Sequence, residues 1–223
     1  MGGERHNFYK QVHKGIRALA HSVAEQAGRT NFSDAAEVAA LREALERAFA
    51  AFESHAAHET AFVTPVLRVC APNAAADSDG DHRAQALRLR DLRAALALAA
   101  GAGEQAPAFG HAFFVGLSRF VGEMLVHMAD EEERLMPALQ AAFDDAALLK
   151  IHEAIMASLP PEEKAQSLAW MLPALSAPER TEILAAIRAV APPPAFEAMA
   201  AVARRVLPPT DWSRLERSLA VAA

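Results

Sequence analysis

The chain has 223 residues, 52% of them hydrophobic, with 28 acidic against 22 basic side chains and a net charge of −6. That length suits one large domain or a domain with an appendage, and the mixed, mildly acidic charge offers no basic surface for nucleic acid. The single Cys70 excludes an intrachain disulfide or a thiolate cluster, and no run of 18 uncharged apolar residues suggests a membrane span. The polar start MGGERHNFYK lacks an apolar signal core, so a cytoplasmic location is expected. Alanine and leucine dominate while valine and isoleucine are sparse, which favours helix over sheet.

In chain order, the pattern predicts a first helix over residues 5–27, stopped by Gly28 as a C-cap. A second starts after Ser33 as N-cap, with Asp34 and Glu37 in its first turn, and runs to about residue 69. Residues 71–80, with Pro72, Asn73, Asp79 and Gly80, read as a loop. A third helix begins near Asp81 or His82 and ends near residue 100; a fourth runs from Pro107 to about residue 143. The second and fourth would each be roughly 50 Å long, which suits an up-down bundle with two long members. Pro65 and Pro137 are expected to close their helices near the bundle end, a reading favoured over a tuned kink at the site. A fifth helix starts at Asp144-Asp145 and reaches Ser158. Beyond it prolines punctuate three or four short helices, one opened by a Ser176-to-Glu179 capping box. Their apolar stripes (Leu168, Leu172, Leu175; Ile183, Leu184, Ile187; Phe196, Met199, Val202) need a covering surface. The expected organisation is therefore all-α: a bundle over residues 1–143 and a helical extension over 144–223, packed on the bundle or forming a homodimer face.

One phrase occurs twice. His55-x3-Glu59-x5-Pro65-x-Leu67 and His127-x3-Glu131-x5-Pro137-x-Leu139 share the pattern H-x3-E-x5-P-x-L. His and Glu four apart lie on one helix face, one turn from each other. Two such pairs facing each other across a bundle would make a dinuclear metal site. An isolated H-x3-E pair is commonly an ordinary surface pair; the repetition favours metal. The first helix adds His13 on the stripe of Ile16, Leu19 and Ala20, and the third adds His82. The candidate metal ligands are thus His13, His55, Glu59, His82, His127 and Glu131. Four imidazoles and two carboxylates suit iron or manganese better than calcium or magnesium, and exceed the need of one tetrahedral zinc. Two divalent ions bring four positive charges against two carboxylates, so a bridging oxide or hydroxide would supply more negative charge.

Tyr9, one turn before His13, is placed to donate a hydrogen bond or an electron at such a centre, or else to be a rim aromatic. Glu132 stands as an alternative to Glu131 by a small rotation. His58 points past Glu59 and reads as an outer or surface group. His6, His21, His111 and His152 have no paired ligand in the pattern. No acyl-transfer arrangement, Gly-rich phosphate loop or CxxC is present, so no catalytic side chain is assigned.

A His on the first helix, H-x3-E on the second, a His opening the third and His plus carboxylate on the fourth resemble the hemerythrin-like, or HHE cation-binding, domain over residues 5–143. The run from Trp170 to Leu175 followed by Glu179-Arg180 is similar to the helical tail after some of these domains. The resemblance implies an antiparallel four-helix bundle and a non-haem di-iron centre, two ions joined by an oxo or hydroxo bridge. His13, His55, His82 and His127 would then be nitrogen ligands, and Glu59 and Glu131 bridging carboxylates. It implies dioxygen, nitric oxide or peroxide as small ligand, or iron itself as the species sensed. The chain departs from the oxygen-carrier pattern at Ala86, where a second His would stand one turn along the third helix. It also has Glu131 at the fourth place after His127 and Glu132 at the fifth, where the carrier has His-x4-Asp. One metal would be short of a nitrogen, favouring sensing or exchange over reversible transport. A di-iron oxidase or peroxidase using the open position, and a metal-free helical interaction module, are the competing readings.

Overall fold

The computed structural model describes residues 5–221, which are mostly helical, with no strand among the described residues. The helices cluster into two compact units: Met1–Tyr9 with Leu19–Ile155, and Lys10–Ala18 with Met156–Ala223.

Helix α1 (Tyr9–Arg29) is divided between the units, its Lys10–Ala18 segment counted with the second; it runs past Gly28 and ends at Thr30, whose N–H donates to the Ala27 carbonyl. Gly28 is a packing position rather than the expected cap: a Cβ there would stand 3.1 Å from the Phe114 ring. α2 (Ala35–His58) is capped by Asp34, one residue later than expected, with its carboxylate accepting from the N–H groups of Ala36 and Glu37. Val38, Leu41, Leu45, Ala48, Phe49 and Phe52 form its buried stripe at helical spacing.

Neither proline of the repeat closes a helix. After α2 the chain makes one π-helical turn, Glu59–Val63, and continues as α3 (Thr64–Cys70). After α5 (Ala106–Asp130) it does the same: a π turn over Glu131–Leu135, then α6 (Met136–Ala142). In each case the residue before the proline, Thr64 or Met136, donates its N–H to the carbonyl five residues back, that of Glu59 or Glu131. The proline then occupies the start of the next helical segment, where its missing N–H is tolerated best. The repeated spacing of Glu and Pro is therefore the spacing of a wide turn that begins on the carboxylate.

The expected loop at 71–80 is helix. α4 runs unbroken over Pro72–Gly101, with Pro72 in its first turn. The polar run Asp77 to Gly80 is held helical from outside: Ala75, Ser78 and His82 are buried on one face, and Arg68 of α3 pairs with Asp79 at 2.6 Å. Tertiary contact here overrides turn propensity. This earlier start places His82 three turns inside the helix, α4 packing along α2, α3 and α5.

The trailing leucines of the repeat, Leu67 and Leu139, are fully buried and share one core with Tyr9, Val63, Ala75, Leu135, Met136 and Leu148. The last of these belongs to α7 (Asp145–Ser158). Burial of a leucine or methionine of this kind is worth roughly 1.5–3 kcal/mol. Gly103–Ala142 is long and apolar enough to cross a membrane by length and composition, although Arg119 and Glu123 interrupt it. Its Phe113, Leu117, Phe120, Met124 and Met128 are buried among the other helices, as in a core helix.

In the second unit, α8 (Pro161–Ala174), α9 (Ala177–Val190), α10 (Pro193–Val206) and α11 (Pro209–Val221) pack α8 on α10 and α9 on α11. Leu168, Leu172, Leu184, Val202, Leu207 and Leu215 form their common core, so the apolar stripes face one another. The capping box at Ser176 and Glu179 forms as expected. Glu179 also takes Lys14 at 2.6 Å, and Arg180 ties the α8 carbonyls of Leu172 and Pro173 to Asp211.

Candidate metal centre

The two H-x3-E pairs close on themselves as helix geometry demands. His55 Nε2 stands 3.1 Å from Glu59 Oε1, and His127 Nε2 stands 3.2 Å from Glu131 Oε1. His82, from α4, joins both halves: its Nε2 lies 3.2 Å from Glu59 Oε2 and 3.8 Å from Glu131 Oε1. Glu59, His82, His127 and Glu131 each offer one ligand atom, all within 4.8 Å of one another. Atoms of His55, Glu59 and Glu131 meet the same limit, so both carboxylates are common to the two groupings.

Burial is deep where the charge is. Glu59 is 4% exposed, Glu131 1% and His82 7%. Two carboxylates withdrawn from water this far need positive charge close by. The three imidazoles facing them, or a bound cation, can supply it. A ligand shell with bonds of ~2.0–2.2 Å has ligand–ligand edges of about 3.0–3.5 Å, which the 3.1–3.2 Å separations match. Without an ion, burial disfavours charging His127. The hydrogen bond and charge of Glu131, with Glu59 and Asp81, outweigh this and raise its pKa to about 9.

Two residues that sequence reasoning missed aim the rings. Thr60 Oγ1 meets His82 Nδ1 at 3.0 Å, and Asp81 Oδ2 meets His127 Nδ1 at 3.2 Å. Each outer contact leaves Nε2 for the centre, as at metal-bound histidines. Their only sequence signal is adjacency, Thr60 following Glu59 and Asp81 preceding His82. The two rings stand edge to face with centroids 5.0 Å apart.

Tyr9 is 1% exposed. Burial first, then the charges of Glu59 and Glu131, raise its phenol well above the usual tyrosine value, so it is a buried neutral phenol beside the two carboxylates. His13 is fully buried on α1, one turn past Tyr9. Glu131 belongs to the cluster, whereas Glu132 is partly exposed and does not. His58 turns to Ser54 and stacks on Phe62. His6 and His152 face each other at 3.3 Å, and His111 is exposed beside Phe114. Ala86, one turn past His82, is exposed and carries no donor.

No protein-family model matches the chain, and no curated protein or solved structure matches it. What stands on geometry alone is a helical protein with a buried His/Glu cluster able to hold a metal ion.

Proposed function

We propose that the protein is a hemerythrin-like, non-haem di-iron protein that binds or senses dioxygen, nitric oxide or peroxide, built on an antiparallel up-down four-helix bundle. The observation that carries the reading is the convergence of Glu59, His82, His127 and Glu131, with Thr60 and Asp81 holding the outer ring nitrogens of the two histidines. In this reading Glu59 and Glu131 are shared by two ions, and His55, His82 and His127 are terminal nitrogen ligands. His13 is assigned as a further nitrogen ligand. It is fully buried, and the unbroken helix α1 carries it one turn from Tyr9, the phenol beside both glutamates. A pair of iron ions, when bound, supplies exchangeable coordination positions and one-electron redox chemistry. The chain's own residues balance charge through the two carboxylates and keep water out with Phe52, Phe120, Met124 and Met128. Tyr9 provides a neutral O–H donor.

A second reading, a di-iron oxidase or peroxidase, is favoured by one observation: the position one turn past His82 is an alanine, leaving that side of the centre without a protein donor. Metal analysis and the optical spectrum of aerobically purified protein test the proposal. Two irons per chain with oxo-bridge absorption are expected. Manganese or zinc in their place would keep the site and change its chemistry, and protein purified without bound metal that takes up none on titration would overturn it.

A further inference from the structure

Away from the candidate centre, His6 and His152 bring two imidazoles together from 146 residues apart in the chain. His6 lies in the non-helical segment before α1, and His152 lies on α7. Both are half-buried, and neither belongs to the buried His/Glu cluster.

The approach does not depend on the rings alone. The His6 N–H donates to Asp145 Oδ1 at 3.2 Å, and its carbonyl accepts from Gln140 Nε2 at 3.1 Å. Beside it, Arg5 donates to the same Asp145 oxygen at 2.6 Å and to the carbonyls of Gln140 and Phe143 at 3.0 and 2.7 Å. These bonds fix the backbone of His6, and helix α7 fixes that of His152, so little ordering remains to be done when the rings share a ligand.

The ring geometry is that of two ligands on one ion. His6 Nε2 and His152 Nδ1 face each other at 3.3 Å, and the ring centroids are 5.3 Å apart. Two imidazoles bound at ~2.0–2.1 Å to one tetrahedral cation put their nitrogens about 3.3 Å and their centroids about 5.2 Å apart. A direct N–H···N bond prefers about 3.0 Å, and a linear one at the observed 3.3 Å would put the centroids about 5.6 Å apart. Neighbouring positions on a square-planar copper(II) or nickel(II) ion would bring the nitrogens to about 2.8 Å. Both observed distances therefore fit tetrahedral coordination, and a pair of imidazoles without a carboxylate suits zinc over calcium, magnesium or manganese. Burial, and then His6 beside it, lower the pKa of His152, so that ring is neutral at neutral pH and has a lone pair to give.

We propose that His6 Nε2 and His152 Nδ1 form a separate zinc site, with water in the remaining positions. With two protein ligands the ion is exchangeable, so occupancy follows zinc supply, and the bound ion clips the segment before α1 to α7. This site is independent of the function proposed above.

Equilibrium dialysis of the metal-free full chain against zinc, with elemental analysis, tests it. His6→Ala and His152→Ala should each hold one zinc fewer per chain than wild type, whatever the buried cluster holds, with circular dichroism unchanged. His111→Ala, which removes an exposed histidine, should keep the wild-type count. In nitrogen-resolved NMR of the wild-type protein, zinc should shift the His6 Nε2 and His152 Nδ1 resonances together, a readout that needs no variant to fold. Equal zinc counts in wild type and both variants, the same loss in His111→Ala, or zinc-dependent shifts confined to other histidines would each overturn the proposal. A buried cluster that takes no metal lowers every count alike and leaves the difference of one zinc standing.

Discussion

Glu131→Gln removes one of the two charges that a pair of cations would share and keeps the side chain's size. The oxygen concerned, Oε1, faces His127 Nε2 at 3.2 Å and His82 Nε2 at 3.8 Å, so the substitution acts at the junction of both histidines. A site held at a hundred times its dissociation constant adds about 2.7 kcal/mol to stability. In a chain of this size about 2–4 °C of Tm accompanies each kcal/mol, so chelating one ion should lower Tm by roughly 5–11 °C, and chelating two by about twice that. Glu131→Gln should bind at most one ion per chain, and its chelator-dependent drop in Tm should shrink to half or less. Differential scanning calorimetry with and without chelator, paired with elemental analysis, gives both numbers. The reasoning is refuted if the wild-type Tm ignores the chelator, or if the variant holds as many ions as wild type.

Thr60→Val and Asp81→Asn should each weaken metal binding by roughly 10–100-fold with little loss of helix content, because they release a ring rather than a ligand; competitive chelator titration measures this. His127 is raised to about 9, so below that pH it holds a proton that a metal must displace. Metal uptake should therefore release protons into weak buffer, and apparent affinity should climb as pH rises toward 9. A pH-independent affinity between 6.5 and 9 would contradict it. Burial opposes charge on Glu179, but the bonds from Lys14 and Ser176 hold its pKa down to about 2. A depressed acid stabilises fully above its ordinary value and loses that contribution as pH falls through the folded one. The stability gap between wild type and Glu179→Gln should thus be steady above about pH 5 and vanish near pH 2 in urea titrations. Gly110→Ala should destabilise by about 1–3 kcal/mol in spite of alanine's better helix propensity, because the added methyl meets the Phe32 ring. A raised urea midpoint would refute that.

Helix existence and the inner stripe were legible because apolar spacing carried them, from Val38 through Phe52 on α2 and from Phe113 through Met128 on α5. The capping box at Ser176 was legible because it is entirely local. The start of α4 was not. Asp77 to Gly80 favour a turn locally, and only the Arg68 pair and the burial of Ala75 and Ser78 make them helical. The candidate cluster was visible through a repeated phrase, which showed that His55, Glu59, His127 and Glu131 matter together. Thr60 and Asp81 were invisible because their roles depend on rings that another helix brings to them. The prolines carried more information than their expected role used. Their distance from each glutamate encodes a wide turn, which apolar periodicity does not distinguish from ordinary helix.

That turn has a mechanical consequence. A five-residue turn of backbone is wider than the ordinary α-helical turn, and in both repeats the glutamate of the candidate site is its first member. It interrupts the regular i-to-i−4 hydrogen bonding of an otherwise continuous helical rod. Under the proposed function, a carboxylate that changed its grip on a bound ion would do so from the first residue of this wider turn, with Leu67 and Leu139 seated in the core just beyond.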